Sequence, residues 1–200
     1  MTIAVRAATT DDADSIVEVS LRAWEEGFRG IVPKRIDPRQ AWNPERLRAR
    51  LREPGETEHS VAELEGRVMG YVVVGPCRDH DAPARTGEIW ALYVHPDAWR
   101  LGLGRALVRH AFGELGGAGF RAATLWTLAE SPSARAFYEA CGLARDGASQ
   151  RREALGSSLE IRYRIALSER RVGGRAVRSC RLCLPSLEQL YVLSQRSALE

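Results

Sequence analysis

Residues 88–119 read EIWALYVHPDAWRLGLGRALVRHAFGELGGAG, and three signals follow one another without a gap. Ile89 to Val94 is an apolar run of strand length, closed by His95-Pro96-Asp97. Gly102 and Gly104 then open a segment in which Leu103, Leu107, Ala111 and Leu115 recur at fourfold spacing, widened by Val108 and Phe112. That periodicity predicts an amphipathic helix with one face on a core. Two glycines at a helix start leave backbone N–H groups uncovered, and the helix dipole adds partial positive charge there, so the turn is suited to phosphate. A plain strand-to-helix connection has the same pattern, and this stretch alone does not separate the two. It does exclude two phosphate loops: no Gly-Lys-Ser/Thr follows, and the third glycine of the dinucleotide fingerprint is missing.

The surrounding chain has 200 residues, 44% of them apolar, which suits one domain with a real core. No apolar run approaches the ~20 residues of a membrane span, and residues 1–10 carry no signal-peptide pattern, so a cytoplasmic protein with reduced cysteines is expected. The net charge of +3 has a location: residues 168–200 hold six arginines against three glutamates, leaving 23 side chains of each sign in residues 1–167. The body therefore has no electrostatic case for nucleic acid. A domain over residues 1–167 and a basic extension over 168–200 follow, the extension with a short amphipathic pattern at Leu187, Leu190, Tyr191 and Leu193.

In order, Ile3–Ala7 reads as a strand, and Thr9 with Asp12 forms a capping-box pattern before a helix carrying Ala13, Ile16, Val17, Leu21 and Trp24. Trp24, Phe28, Arg29 and Gly30 end that helix in a segment apolar enough to line a pocket. Pro44–Leu51 is a second helix. His59–Leu64 and Val68–Val74 are strands joined at Glu65-Gly66-Arg67. Residues 76–87 form a polar loop long enough to face a substrate, with His80 in its middle. Ala122–Leu128 is another strand, Ser131-Pro132 starts a last helix that Gly142 ends, and two final strands lie around Gly156. The order β-α-α-β-β-β-α-β-α-β-β is a mixed α/β sheet.

Residues 3–167 resemble the GNAT superfamily of acyl-CoA-dependent N-acyltransferases. Trp99-Arg100-Leu101-Gly102-Leu103-Gly104 lies on the family's Gln/Arg-x-x-Gly-x-Gly/Ala segment, with Trp99 in place of Gln or Arg and Arg105 following. Ser131-Pro132-Ser133-Ala134-Arg135-Ala136-Phe137-Tyr138-Glu139-Ala140-Cys141-Gly142-Leu143 matches the second signature, with Ser131 for Asn and Leu143 for Phe. The resemblance implies a mostly antiparallel sheet of about seven strands, flanked by about four helices, whose fourth and fifth strands splay. It also implies acetyl-CoA as cosubstrate. Its pyrophosphate would lie on the Trp99–Arg105 amides and its pantetheine arm along Leu92, Tyr93 and Val94, with Ser131, Ala134, Phe137 and Tyr138 on the adjoining helix.

Acetyl transfer to an amine needs a neutral nucleophile, and an amine of pKa ~10.4 lies about three pH units from neutrality at pH 7. Glu88 matches a position used in the family to take that proton through water, and Tyr138 matches the acid that protonates the leaving thiolate. Trp24, Phe28, Arg29, Gly30, His80 and Glu88 are the candidate acceptor contacts. Expected partners are acetyl-CoA and an amine, with a homodimer allowed and neither membrane nor nucleic acid. No metal is expected: Cys77-x-x-His80 and Cys180-x-x-Cys183 could together supply a zinc set, but nothing in the sequence joins them. Two competing readings are a non-catalytic acyl-CoA sensor of the same fold, which Tyr138 argues against, and an arginine-rich tail that binds nucleic acid. The acceptor amine does not follow from the sequence.

Overall fold

The computed structural model describes residues 2–40 and 42–167; the tail proposals, including Cys180, Cys183 and the Leu187–Leu193 pattern, lie outside the described residues. Seven strands form one sheet: β1 (Ile3–Ala7), β2 (Glu58–Leu64), β3 (Arg67–Pro76), β4 (Thr86–Val94), β5 (Ala122–Leu128), β6 (Ala144–Arg152) and β7 (Ser158–Ala166). Their order across the sheet is β1-β2-β3-β4-β5-β7-β6. Every neighbouring pair is antiparallel except β4 and β5. Four α-helices lie among the described residues: α1 (Ala13–Gly27), α2 (Pro44–Arg52), α3 (Leu103–Gly117) and α4 (Pro132–Ala140). The expected element order and α/β sheet are what the chain builds.

The two faces of the sheet bury different sets of side chains, as strand alternation requires. On one, Leu103, Leu107, Ala111 and Leu115 of α3 pack with Val72, Ile89, Leu125 and Tyr163, and Tyr138 of α4 lies against them. On the other, Ala13, Ile16 and Val17 of α1 and Leu47 of α2 pack with Val61, Tyr71 and Val73. The β2–β3 turn places Glu65 and Gly66 both at positive φ, 51° and 80°. A two-residue hairpin of right-handed strands demands that conformation.

β4 and β5 pair only over Thr86–Glu88 against Ala122–Thr124. Beyond Glu88 they part, although both strands continue, to Val94 and Leu128. A bulge sharpens the break: Val73 faces Ala91 and Val74 faces Ile89, so Trp90 is the extra residue in β4. Trp90 and Ala91 consequently both pack toward the α1 side, while Leu92 and Val94 pack toward α3. The result is a sheet open between its fourth and fifth strands, with Glu88 at the apex.

Candidate active site

On the α3 side, the edge of β4 facing the gap has no strand partner among the described residues from Ile89 to Val94, so its backbone groups are open to an extended ligand. The chain then turns into α3 through two left-handed residues, Arg100 (φ 66°) and Gly102 (φ 95°). Gly102 is the N-cap, so the first-turn N–H groups of α3 lie past it without helical partners. A Cβ built on Gly104 would lie 3.0 Å from Phe137 Cζ. The glycine turn and α4, recognised separately in the sequence, are thus in contact, and a side chain at Gly104 would crowd the Phe137 ring.

Trp99, 41% exposed, donates its indole N–H to the Val94 carbonyl at 2.7 Å. The replacement of Gln or Arg at this position is therefore used to tie the turn to the end of β4. Ser131 caps α4 by position, but its side chain makes no capping hydrogen bond. A pocket of about 260 Å³ between α3 and α4 is lined by Arg105, Arg109, Val108, Phe112, Ala140 and Cys141. Sequence reasoning placed only Arg105 of these at the cofactor site; the helical i,i+4 spacing of Arg105 and Arg109 was the available signal. Two cations beside an aromatic ring suit a phosphate-bearing group.

Tyr138 is half-buried, tilted against Phe137 and Tyr163 with ring centroids 5.2 and 6.2 Å away. Among the described residues its hydroxyl has no hydrogen-bond partner. Burial pushes the phenol well above its ordinary value, with Tyr93 and Cys141 adding to the shift. Tyr138 is therefore protonated throughout the neutral range. Tyr93 itself is raised to about 12, chiefly by burial, with its ring edge-on to Trp42 at 5.3 Å.

The opposite face carries a cleft of about 460 Å³, lined by Arg78, Asp79, His80, Asp81, Glu88, Trp126, Ala148, Ser149, Gln150, Arg152 and Arg162. It lies over β5, β7 and β6, on the side of α1 and α2. Glu88, 2% exposed, accepts from the Arg78 backbone N–H and Nε at 3.1 Å each on Oε2, and Oε1 is paired with Arg78 Nη2. A carboxylate has about four acceptor positions, so among the described residues one remains, on Oε1. Arg162 of β7, 8% exposed, binds Asp79, Asp81 and Asp146 at 2.7–2.9 Å. This ties the β3–β4 loop to β6 and β7. Trp126 Nε1 completes the tie by donating to Asp79 at 3.1 Å.

His80 and Glu88 are brought together in this cleft. Trp24, Phe28, Arg29 and Gly30 do not line it: Trp24 and Phe28 pack edge to face at 5.3 Å, and Arg29 pairs with Glu26. The segment they begin does reach across, because a Cβ on Gly156, in the β6–β7 connection, would lie 2.6 Å from Pro33. Arg78, Trp126, Arg152 and Arg162 were missed in the sequence. Only closure of the β3–β4 loop and pairing of β5 with β7 bring them to one place. Among the described residues no cluster of His, Cys, Asp and Glu has the arrangement of a metal site.

Several known proteins share this architecture. The PaiA N-acetyltransferase of Thermoplasma acidophilum, solved in complex with coenzyme A, superposes with a TM-score of 0.66 at 18% identity over 81% of this chain and 98% of that one. YncA of Salmonella typhimurium, solved with acetyl-CoA, gives 0.66 at 19% identity over 87% and 99%. By sequence, the uncharacterized N-acetyltransferase YuaI of Bacillus subtilis is 29% identical over 69% of this chain and 78% of its own length. A mycothiol acetyltransferase of Cellulomonas flavigena is 33% identical over 64% of this chain. The chain spans 41–43% of the length of the mycothiol acetyltransferases of Cellulomonas flavigena and Amycolatopsis mediterranei. Residues 19–143, from α1 through the end of the α4 signature, match the model of the acetyltransferase (GNAT) family, and the chain belongs to that family.

Proposed function

We propose that this protein transfers the acetyl group of acetyl-CoA to a primary amine of a small molecule by direct attack in a ternary complex. The observation that carries the reading is the gap beyond Glu88 and Thr124: a phosphate-suited turn and Tyr138 lie on the α3–α4 side, and a polar cleft lies on the other. Two ligands approaching from opposite faces meet where the strands part, with no need for either to leave its own pocket. Acetyl-CoA supplies a thioester carbonyl already activated for attack.

Each residue then has a task that its surroundings support. The open edge of β4 at Leu92–Val94 holds an extended arm, and an N–H near Val94 polarises a carbonyl placed against it. The α3 first turn, with Arg105 and Arg109 beyond it, holds phosphates. Glu88 keeps one acceptor position for a water, through which it takes the ammonium proton. Arg78 holds the carboxylate in place through its backbone N–H and its guanidinium. Tyr138 returns a proton to sulfur. Its raised phenol is a weaker acid than a thiol, of reference pKa ~8.5, so it keeps its proton until negative charge has built up on sulfur, and the tyrosinate left behind regains a proton from solvent.

A thiol-release assay with acetyl-CoA against a panel of primary amines tests the reading, and release that depends on the amine is expected. Tyr138→Phe should bind coenzyme A as wild type does and lose ~10²-fold or more in kcat, the usual worth of a positioned acid. No amine-dependent release would overturn the transferase reading. An unchanged kcat would remove Tyr138 from the mechanism alone.

A further inference from the structure

The cleft beside Glu88 contains an arginine fixed on two sides and unused on a third. Arg78 spends its Nε and one N–H of Nη2 on Glu88, and its guanidinium lies over the Trp90 ring, 4.4 Å from the centroid. Trp90 is itself anchored, as the bulge residue of β4 and through its indole N–H on the Pro76 carbonyl at 3.0 Å. A guanidinium has five N–H donors in a planar fork. The edge formed by Nη1 and the second N–H of Nη2 has no partner among the described residues. The side chain is 26% exposed and lines the cleft. Arg162 differs: Nε is held by Asp146, Nη1 by Asp79 and Asp81, and Nη2 by Asp81.

The charges around the cleft point the same way. Arg78 and Glu88 neutralise one another, as do Arg152 and Glu160, whereas Arg162 faces three carboxylates, those of Asp79, Asp81 and Asp146. The region therefore attracts a cation overall, while offering one preorganised fork shaped for a carboxylate. A molecule carrying both charges answers both features. The two must also be close together in it, because the free edge of Arg78 and the remaining acceptor position of Glu88 belong to one ion pair.

We infer that the acceptor is a small amino-carboxylate, an α-amino acid or a near relative. Its carboxylate lies on the free edge of Arg78, and its ammonium is held beside Glu88. This rests on the acetyl-transfer reading and names its substrate class. Arg78 is then a specificity-determining residue. In an α-amino acid one carbon separates nitrogen from carboxylate, so seating the carboxylate places the nitrogen at the base. The side chain extends past Trp126 toward the rim at Asp81, which is 66% exposed.

The test compares kcat/KM in the thiol-release assay for free amino acids, their carboxamides, the corresponding decarboxylated amines and a linear polyamine. The expected result is a preference of at least about tenfold for the free acid over the other three, the least that a charge-assisted bidentate pair confers. In Arg78→Lys, which keeps the charge and loses the fork, the ratio of acid to carboxamide should fall toward one. If Arg78 merely supports Glu88, the variant lowers both substrates equally and the inference fails. Wild-type turnover of carboxamides, decarboxylated amines or the polyamine at the rate of the acids also overturns it, and leaves acetyl transfer standing. Absence of turnover with every amine overturns both.

Discussion

Glu88 is a buried carboxylate held by a single arginine. It is 2% exposed and receives three donors from one arginine, so removing that charge leaves Arg78 without its counter-ion as well as removing a proton acceptor. The amine it is proposed to serve has an ordinary pKa near ~10.4, and the fraction already neutral rises about tenfold per pH unit. In Glu88→Gln the deficit in kcat/KM should accordingly be largest near pH 6 and shrink toward pH 9, roughly the window over which bulk solvent takes over deprotonation. A ratio to wild type that stays flat across that range would show that Glu88 serves structure and not proton transfer. The sequence could point to Glu88 and Tyr138 because family spacing marks both. It could not point to Arg78, ten residues from Glu88, because nothing periodic relates the two: only the return of the β3–β4 loop places them together.

At the scale of elements, most of the architecture was legible because each signal was local. Four-residue spacing in Leu103–Leu115 specified α3 and its buried face, Gly142 at φ 90° ended α4, and Glu65-Gly66 turned the β2–β3 hairpin. The polar cleft was not legible for the opposite reason, since its wall depends on β5 pairing with β7 across the whole of α4 and β6. The glycine turn offers a test of how much the cradle depends on backbone conformation alone. Gly102 holds φ 95°, yet a Cβ there would meet nothing closer than Ile3 Cδ1 at 3.7 Å. Gly102→Ala is thus permitted by space and penalised by ~1–2 kcal/mol of left-handed strain. The variant should fold, melt lower and bind coenzyme A about tenfold more weakly by calorimetry, as the turn relaxes and re-aims its amides. Gly113→Ala, on the same helix with nothing within 4 Å, is the control and should be neutral to stabilising by up to ~1 kcal/mol. Equal coenzyme A affinity in both variants would mean that the turn geometry does not hold the phosphates.

For the molecule as a whole, one face of the sheet buries a group whose protonation opposes folding. The α1–α2 face buries a titratable chain under α2: His59, 8% exposed, lies between Thr57 Oγ1, at 2.9 Å from Nε2, and the Tyr71 hydroxyl at Nδ1. Thr57 donates its own proton to the Pro54 carbonyl at 2.6 Å. Nε2 must therefore carry the hydrogen, and Nδ1 accepts from Tyr71. A second ring proton would displace that bond inside the core. Burial first, and Arg50 second, hold the imidazole down at about 4, against an ordinary ~6.5 when unfolded. Between those values the unfolded chain binds a proton that the folded one refuses. Stability is therefore complete above pH ~6.5 and declines as pH falls toward 4, by ~3 kcal/mol at 1.36 per unit. Asp12 acts in a separate window, because the Arg6 hydrogen bond holds it near 2, so its contribution is lost only below the ordinary carboxylate value of ~3.9. Urea denaturation between pH 7.5 and 4.5 should show the midpoint falling with pH. A His59→Gln variant, less stable at neutral pH, should lose most of that slope. If wild type and variant decline in parallel, His59 is not the group through which this face senses acid.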